Sequence, residues 1–272
     1  MRGSGVELNL HSNNLRGTSG NTVGWQTDLL FNYSRNTVTA YDQTSDLGYN
    51  YAANGLTVSP LVGKPLYSIL TYKWAGLDPQ TGDPQGYLNG KVSSDAAAII
   101  DGTKVSDLQY SGPAVPPVYG NLRNTFNYRG WSVSVNVSYR FGYYWMRYGI
   151  AYDALVHNRA DQSNDFPLRW QKPGDELHTN VPSFVYPTDS SRDQFYNQSS
   201  VNVEKGDNIR LQDLRLGYEL GDGTLRLKRL QVFLYATNLG VIWKATKTSL
   251  DPDYPYGIRP AKTIALGLNA NF

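Results

Sequence analysis

The chain contains no cysteine, which excludes a disulfide scaffold and any thiolate metal or catalytic site. Long apolar runs are missing too. The longest are a few residues, against the roughly 20 that a spanning helix needs, and the mean hydropathy of -0.46 agrees. A helical membrane protein is therefore excluded. A membrane barrel is not, because alternating strands average to a soluble-looking hydropathy. Net charge is only +2 and no basic stripe is visible, so no nucleic-acid partner is expected. His11, His157 and His178 stand far apart in unlike contexts and give a metal site little to build on. There is no Gly-x-Ser-x-Gly elbow, phosphate-binding glycine loop or metalloprotease helix, and no pair of carboxylates sits in a hydrolase frame. No enzyme is expected, and no cofactor. No signal peptide is visible. Met1-Arg-Gly-Ser4 reads as an appended leader or the start of an internal fragment, and an export signal is expected further upstream.

What the chain has is tyrosine and alternation. Aromatics make up 13% of its 272 residues, with 21 tyrosines and 26 glycines. Tyrosine favours a boundary where the ring is dry and the hydroxyl wet. The last residues alternate: Ile264, Leu266, Leu268, Ala270 and Phe272 fall on one face, and Thr263, Ala265, Gly267, Asn269 and Asn271 on the other. A period of two over that length is a strand. It ends on an aromatic C-terminus, as closing strands of outer-membrane barrels often do, and Phe272 is the expected barrel-assembly signal.

The same period predicts about eight strands. They cover Val6 to Leu10, Trp25 to Ser34, a weaker Pro65 to Trp74, Val118 to Tyr128, Trp131 to Phe141, Asp213 to Leu220, Leu230 to Thr237 and Lys262 to Phe272. Helical periodicity is confined to Asp95 to Ile100. In the clearest strand Trp131, Val133, Val135, Val137, Tyr139 and Phe141 oppose Ser132, Ser134, Asn136, Ser138 and Arg140. A soluble sandwich would set lysine and glutamate opposite a varied core. Here rows of Leu, Val and Ile edged by Trp and Tyr back onto Ser, Asn, Gln and Thr, the pattern of a lipid-facing band around a wet lumen. Counted from a periplasmic C-terminus, the segments 239–261, 142–207, 76–117 and 13–21 are external loops. Arg129-Gly130 and Gly221-Asp-Gly223 are periplasmic turns. Segment 35–64 breaks the alternation, because it is too long for a periplasmic turn; it either enters the lumen or hides a strand pair.

Several segments resemble one family, the SusC/RagA-like TonB-dependent transporters of the Bacteroidetes outer membrane. They are Gly5-Val-Glu-Leu-Asn-Leu10, Gly63-Lys-Pro-Leu-Tyr-Ser-Ile69, Gly76-Leu-Asp-Pro-Gln-Thr-Gly-Asp-Pro84 and Pro117-Val-Tyr-Gly-Asn-Leu-Arg-Asn-Thr-Phe-Asn-Tyr-Arg-Gly130. Arg169-Trp170 with Pro173-Gly-Asp175, Asn208-Ile-Arg-Leu211, Thr237-Asn-Leu-Gly240, Leu250-Asp-Pro-Asp253 and Gly267-Leu-Asn-Ala-Asn-Phe272 continue it in order. The resemblance implies an all-β fold, an antiparallel transmembrane β-barrel to which this chain supplies the C-terminal strands of about 22. The plug domain has no counterpart here. It further implies TonB-energised uptake, a SusD-like lipoprotein lid, the remainder of the same barrel, and lipid or lipopolysaccharide as partners.

The candidate contacts to solute or lid lie in the external segment 142–207: Tyr143, Tyr144, Trp145, Arg147, Tyr148 and Tyr152, then Arg169 and Trp170, with Asp153, Asp161 and Asp165 nearby. Rings beside hydrogen-bonding groups suit sugars or extended peptides; packing of the loop itself is the competing role. Asp78 with Asp83 and Asp251-Pro-Asp253 resemble calcium turns, although Asp, Pro and Gly are common in any turn. A self-contained small outer-membrane barrel and a secreted carbohydrate-binding β-sandwich are the alternatives.

Overall fold

A computed structural model describes residues 1–17, 22–42, 45–52, 57–58, 60–157, 164–220 and 229–271. The chain divides into two compact units. One is a sheet built from Gly3–Arg35, Pro116–Tyr143 and Gly206–Phe272. The other is built chiefly from Asn36–Val115 and Tyr144–Lys205.

The sheet has seven strands in the order of the chain: β1 (Arg2–Leu15), β2 (Gly24–Thr37), β3 (Val118–Tyr128), β4 (Trp131–Phe141), β5 (Asn208–Leu220), β6 (Arg229–Lys244) and β7 (Thr263–Asn271). The pairings from β2 onward are antiparallel. Between β3 and β4 the chain turns on Arg129 and Gly130, with φ of 47° and 79°. Positive φ at both central residues matches the twist of a two-residue hairpin, and Gly130 adopts it without steric cost. The expected Gly221-Asp-Gly223 turn and Phe272 lie outside the described residues.

Register sorts the residues into two kinds of rung. One runs Trp25, Phe126, Val133, Leu216, Leu234, Leu266 across six consecutive strands. On the opposite face, Asp28, Arg123, Asn136, Asp213, Thr237 and Thr263 pair in the same way. Within β5 exposure is inverted relative to a soluble fold: Leu214 and Leu216 are each 37% exposed and Asp213 only 6%. The apolar rows of Leu, Val and Ile carry no charged side chain between Trp25 and Leu268 in these rungs. Their polar members satisfy one another. Asn14 Nδ2 donates to Thr27 Oγ1 at 2.7 Å, and Thr27 Oγ1 and Trp25 Nε1 donate to Asn124 Oδ1 at 2.7 and 2.9 Å.

Three expectations from the sequence are corrected. Within Pro65 to Trp74 only Ser68–Thr71 is a strand; it pairs with Gln109–Pro113 and lies outside the seven-stranded sheet. All four of its residues are buried, which is why its apolar residues did not alternate: a strand enclosed on both faces has no polar side. Removing it from the meander merges 35–64 and 76–117 into one connection, 38–117, and the odd long segment disappears. Parity then moves the loop at 13–21 to the end of the sheet that carries Arg129-Gly130. Asn13, Arg16, Gly17, Arg129 and Gly130 indeed line one hollow. The third correction concerns length: β1, β5 and β6 run well beyond the predicted bounds, and β6 takes in the first residues of the 239–261 segment.

The other unit is a conventional small core. Helix α1 (Ala96–Gly102) is capped by Asp95, whose carboxylate accepts from the Ala98 amide at 3.0 Å, and it buries Ala96, Ile99 and Ile100. This is the helical period seen in the sequence. Helix α2 (Tyr152–Val156) is shorter. Helix α3 (Ser190–Asn197), capped by Asp189, inserts Phe195 among Leu70, Tyr72, Ile99 and Leu108 and Tyr196 among Ile150, Tyr152 and Val181. Among the described residues no helix is long and apolar enough to cross a membrane.

Candidate functional site

The polar face of the sheet is a connected lining. Arg123 Nη1 and Nη2 donate to the two carboxylate oxygens of Asp213, each at 3.0 Å. Asn136 Nδ2 donates to Asp213 Oδ2 at 2.9 Å, Asn121 Nδ2 to Asn136 Oδ1 at 3.2 Å, and Gln212 Nε2 to Ser138 Oγ at 2.9 Å. Asn121, Asn136, Ser138, Arg140, Gln212 and Tyr235 border an open hollow of about 500 Å³. Amides and hydroxyls dominate it, so it offers both donors and acceptors with little fixed charge.

Where β4, β5 and β6 end, a second cluster pins the segment before β7. Arg210 Nη2 donates to Asp251 Oδ1 at 2.5 Å and Arg210 Nε to Asp253 Oδ2 at 3.1 Å. Arg140 Nη1 lies 2.7 Å from Asp253 Oδ1. The Tyr143 hydroxyl donates to Asp253 Oδ1 at 3.1 Å and accepts from Asn208 Nδ2 at 2.9 Å. Burial, reinforced by the Asp253 charge, raises the Tyr143 phenol and keeps it protonated as a donor. The sequence held a clue to this cluster: Asn208 and Arg210 alternate onto one strand face, and Asp251 and Asp253 flank a proline two residues apart. Nothing in one dimension shows that the two motifs meet.

The aromatic segment after β4 serves mainly as packing. Tyr143, Trp145, Tyr152 and Trp170 are buried. Trp145 lies in a short strand, Tyr144–Met146, paired with Val203–Lys205. The Tyr152 hydroxyl donates to the Pro182 carbonyl at 2.6 Å. Trp170 Nε1 donates to Glu176 Oε2 at 3.1 Å, and the indole packs over Gly82. Arg147 Nη1 donates to Asp165 Oδ2 at 2.6 Å and Nη2 to the Tyr196 hydroxyl at 3.2 Å. Burial lowers the Arg147 pKa, but Tyr196 and Asp165 more than offset it, so the guanidinium stays charged. Arg169 stacks on the Phe166 ring at 4.1 Å. Tyr148, 69% exposed, and the half-buried Tyr144 and Arg169 present surface to solvent. Asp161 lies outside the described residues.

The two pairs of aspartates resembling calcium turns already have protein donors. Asp78 Oδ1 accepts from the Gln80 and Thr81 amides, and these bonds lower its pKa. Asp83 Oδ1 accepts from Arg192 Nε at 2.8 Å. Asp251 and Asp253 are held by Arg210. A cation at either place would have to displace a guanidinium or backbone amides. His11 Nδ1 sits 2.6 Å from Asp28 Oδ1 and His157 Nδ1 2.9 Å from the Asp153 carbonyl oxygen, in separate places along the chain.

These features define a class: an antiparallel β wall with an exposed apolar face and a hydrogen-bonded polar face, carrying a compact unit in its long connections. No family model matches the chain, and no curated protein sequence matches it significantly. Solved structures do share the fold. A structure of the RagAB peptide transporter matches with a TM-score of 0.65 at 19% identity, over 99% of this chain and 29% of that one. The RagAB peptide importer matches in its "closed-closed" state with a TM-score of 0.64 at 20% identity, over 99% and 29% of the two chains. In its "open-open" state the TM-score is 0.65 at 18% identity, over 99% and 28%. This chain thus spans less than a third of the length of the chains whose fold it shares.

Proposed function

We propose that this chain forms part of the wall, the lumen lining and the external loops of an outer-membrane importer for a nutrient oligomer. The observation that carries this reading is the inverted sheet: apolar rungs left half-buried to exposed, and a hydrogen-bonded polar ladder through the half-buried Arg123 and Asn136 and the buried Asp213 on the reverse face. Such a wall is stable with hydrocarbon outside and water inside. The unpaired edges of β1 and β7 are completed by strands from the remainder of a larger barrel, since an open edge in lipid leaves backbone groups unsatisfied. On this reading 38–117, 142–207 and 245–262 emerge on the outer side and the C-terminus of β7 is periplasmic. Phe272 is the signal for barrel assembly.

The solute is an oligopeptide or an oligosaccharide. TonB supplies the energy through a plug outside this chain, and a SusD-like lipoprotein closes over the external loops, meeting Tyr148, Tyr144 and Arg169. The solved structures of similar fold are named as peptide transporters, so peptide is tested first. No residue here performs covalent chemistry.

This chain has no cysteine of its own, so in a full-length protein whose other cysteines are replaced each introduced thiol is the sole site of labelling. Single cysteines placed at Asp213, Leu214, Arg215, Leu216 and Gly217 of the full-length protein in cells are probed with a membrane-impermeant maleimide. Labelling with a period of two, strong at the odd positions and absent at Leu214 and Leu216, is expected. Uniform labelling would sink the membrane reading. Uptake of labelled peptide and glycan oligomers, with and without TonB, then identifies the solute class.

A further inference from the structure

Strand β6 outruns its neighbour. Its pairing with β7 ends at Thr237, opposite Thr263, while its pairing with β5 continues to Lys244, opposite Asn208. Asn238 to Lys244 therefore have a strand on one side only. A hollow of about 500 Å³ is lined by Asn238 and by every residue from Gly240 to Lys244. Successive residues of a strand point to opposite faces, so a hollow that touches all of them runs along the strand's edge. Because β5 occupies one edge, the open one is the side that β7 does not cover. The far wall is the segment before β7, through Asp251, Tyr254, Arg259 and Lys262. Among the described residues, that segment exchanges no backbone hydrogen bond with this stretch of β6. Side chains close the two ends: Asn238 Nδ2 donates to the Ala261 carbonyl, and Lys244 Nζ to the carbonyls of Thr248 and Leu250.

An uncovered strand edge presents N–H and C=O groups ready to pair with another extended chain. Ile242 stands opposite no residue of β5, since Val241 pairs with Arg210 and Trp243 with Ile209. Such a bulge leaves the extra residue's backbone outside the ladder. At Gly240 an added Cβ would meet no atom within 4 Å, so there is room beside the strand. Charge gives the occupant its sign. The lining carries the cations Arg210, Lys244, Arg259 and Lys262 against one acid, Asp251. Arg210 is already engaged by Asp251 and Asp253, which leaves Lys244, Arg259 and Lys262 in excess. The free edge spans roughly 20 Å, enough for a short oligopeptide, and the hollow has the volume of a small-ligand site. A protein partner would need roughly 800 Å² of surface on each side. Arg210 and Gln212, on the polar face of β5, also border the hollow, so it communicates with the side that the importer reading gives to water.

We propose that this notch binds an acidic oligopeptide as an added strand, its backbone pairing with the free edge of β6 and its carboxylates with Arg259, Lys262 and Lys244. Backbone pairing holds any extended peptide, and the cations select among them. The inference rests on the importer reading for its role in uptake, since it names a solute class for that importer. The binding itself is built wholly from the sheet and the segment before β7.

The test is calorimetric titration of the full-length protein in detergent with the capped tetrapeptide Val-Glu-Val-Glu and its counterpart Val-Lys-Val-Lys. The glutamate peptide binds and the lysine peptide does not. Alternate amides of an added strand face β6, so N-methylating one alternate set weakens binding roughly tenfold, whereas methylating the other set changes it little. The double variant Arg259→Glu, Lys262→Glu loses the glutamate peptide and gains the lysine one; unchanged heat-modified mobility confirms that it folds. No binding of the glutamate peptide, or equal tolerance of both methylated sets, overturns the strand-addition site. Equal binding of both peptides by the parent overturns the acidic assignment. Loss of a copurifying lipoprotein from the double variant, without peptide binding by the parent, assigns the notch to the lid and overturns the solute. Cellular uptake separates the two readings. Notch-dependent binding in a protein that imports nothing rejects the importer alone, and peptide import indifferent to the double variant rejects the notch alone.

Discussion

Arg123 on β3 reaches across β4 to clasp Asp213 on β5 with two parallel bonds of 3.0 Å, passing over Asn136, which donates to the same carboxylate. The fork-to-fork geometry is the strongest form of this ion pair. It ties three strands together on the polar face, where water reaches Arg123 more readily than Asp213.

Asp213→Ala should therefore lower stability by about 1–3 kcal/mol, below the full cost of breaking a buried pair because Arg123 is partly solvated. Arg123→Ala should cost as much or more, since it strands the better-buried carboxylate. Heat-modified mobility on denaturing gels would measure both. Equal melting of the two variants and the parent would show that the clasp contributes nothing.

Side-chain polarity should be tolerated on one face only. Leu216→Arg places a cation in the rung that runs from Trp25 to Leu266 and should cost about 2–4 kcal/mol if that rung meets lipid at mid-depth. Thr237→Arg, on the opposite face beside Asp213, should stay within about 1 kcal/mol of the parent. The yield of folded protein in outer-membrane fractions compares the two. Similar yields would mean that both faces meet water.

The segment 245–262 should loosen when its clamp is cut. Asp253 accepts from Arg210, Tyr143 and Asn208 and pairs with Arg140. Asp253→Ala leaves those donors without their shared acceptor. Trypsin cleavage at the exposed Arg259 and Lys262 should then speed up by roughly tenfold, the effect of about 1.4 kcal/mol on local opening. An unchanged cleavage rate would show that the segment is held elsewhere.

Alkali should destabilise the compact unit from about pH 10 upward, where ordinary tyrosines lose their protons. Burial pushes the phenols of Tyr72 and Tyr152 up to about 12. Between pH 10 and that value the unfolded chain loses these protons while the folded chain keeps them. The folded state thus binds more protons, and its stability falls as pH rises through this window. Tyr72→Phe and Tyr152→Phe should each flatten the decline, as read by melting temperature against pH. A slope unaltered in both would assign the sensitivity to other groups.

Much of this was written in the alternation. Trp131 to Phe141 reads directly as a strand with Val133, Val135 and Val137 on one face, and the structure keeps both its bounds and its faces. Asp95 before Ala96 likewise marks the start of α1. Pro65 to Trp74 misled because an apolar run without alternation fits a wall strand and a buried core strand equally well. The aromatic stretch from Tyr143 to Tyr152 looked like a surface for ligands because composition does not distinguish a ring that faces solvent from one that fills a core. Tyr152 and Trp145 fill; Tyr148 faces out.

The sequence by itself determined the two faces of each strand, because side chains on an extended chain alternate whatever lies around them. It also determined the minimal turn at Arg129 and Gly130, where local backbone geometry suffices. Only the tertiary structure decided which strands join the sheet, on which end the loop at 13–21 falls, and that Arg210 meets Asp251 and Asp253. Those outcomes depend on pairings between residues distant in the chain, and the free energy of such contacts is set by burial and geometry that no local pattern encodes.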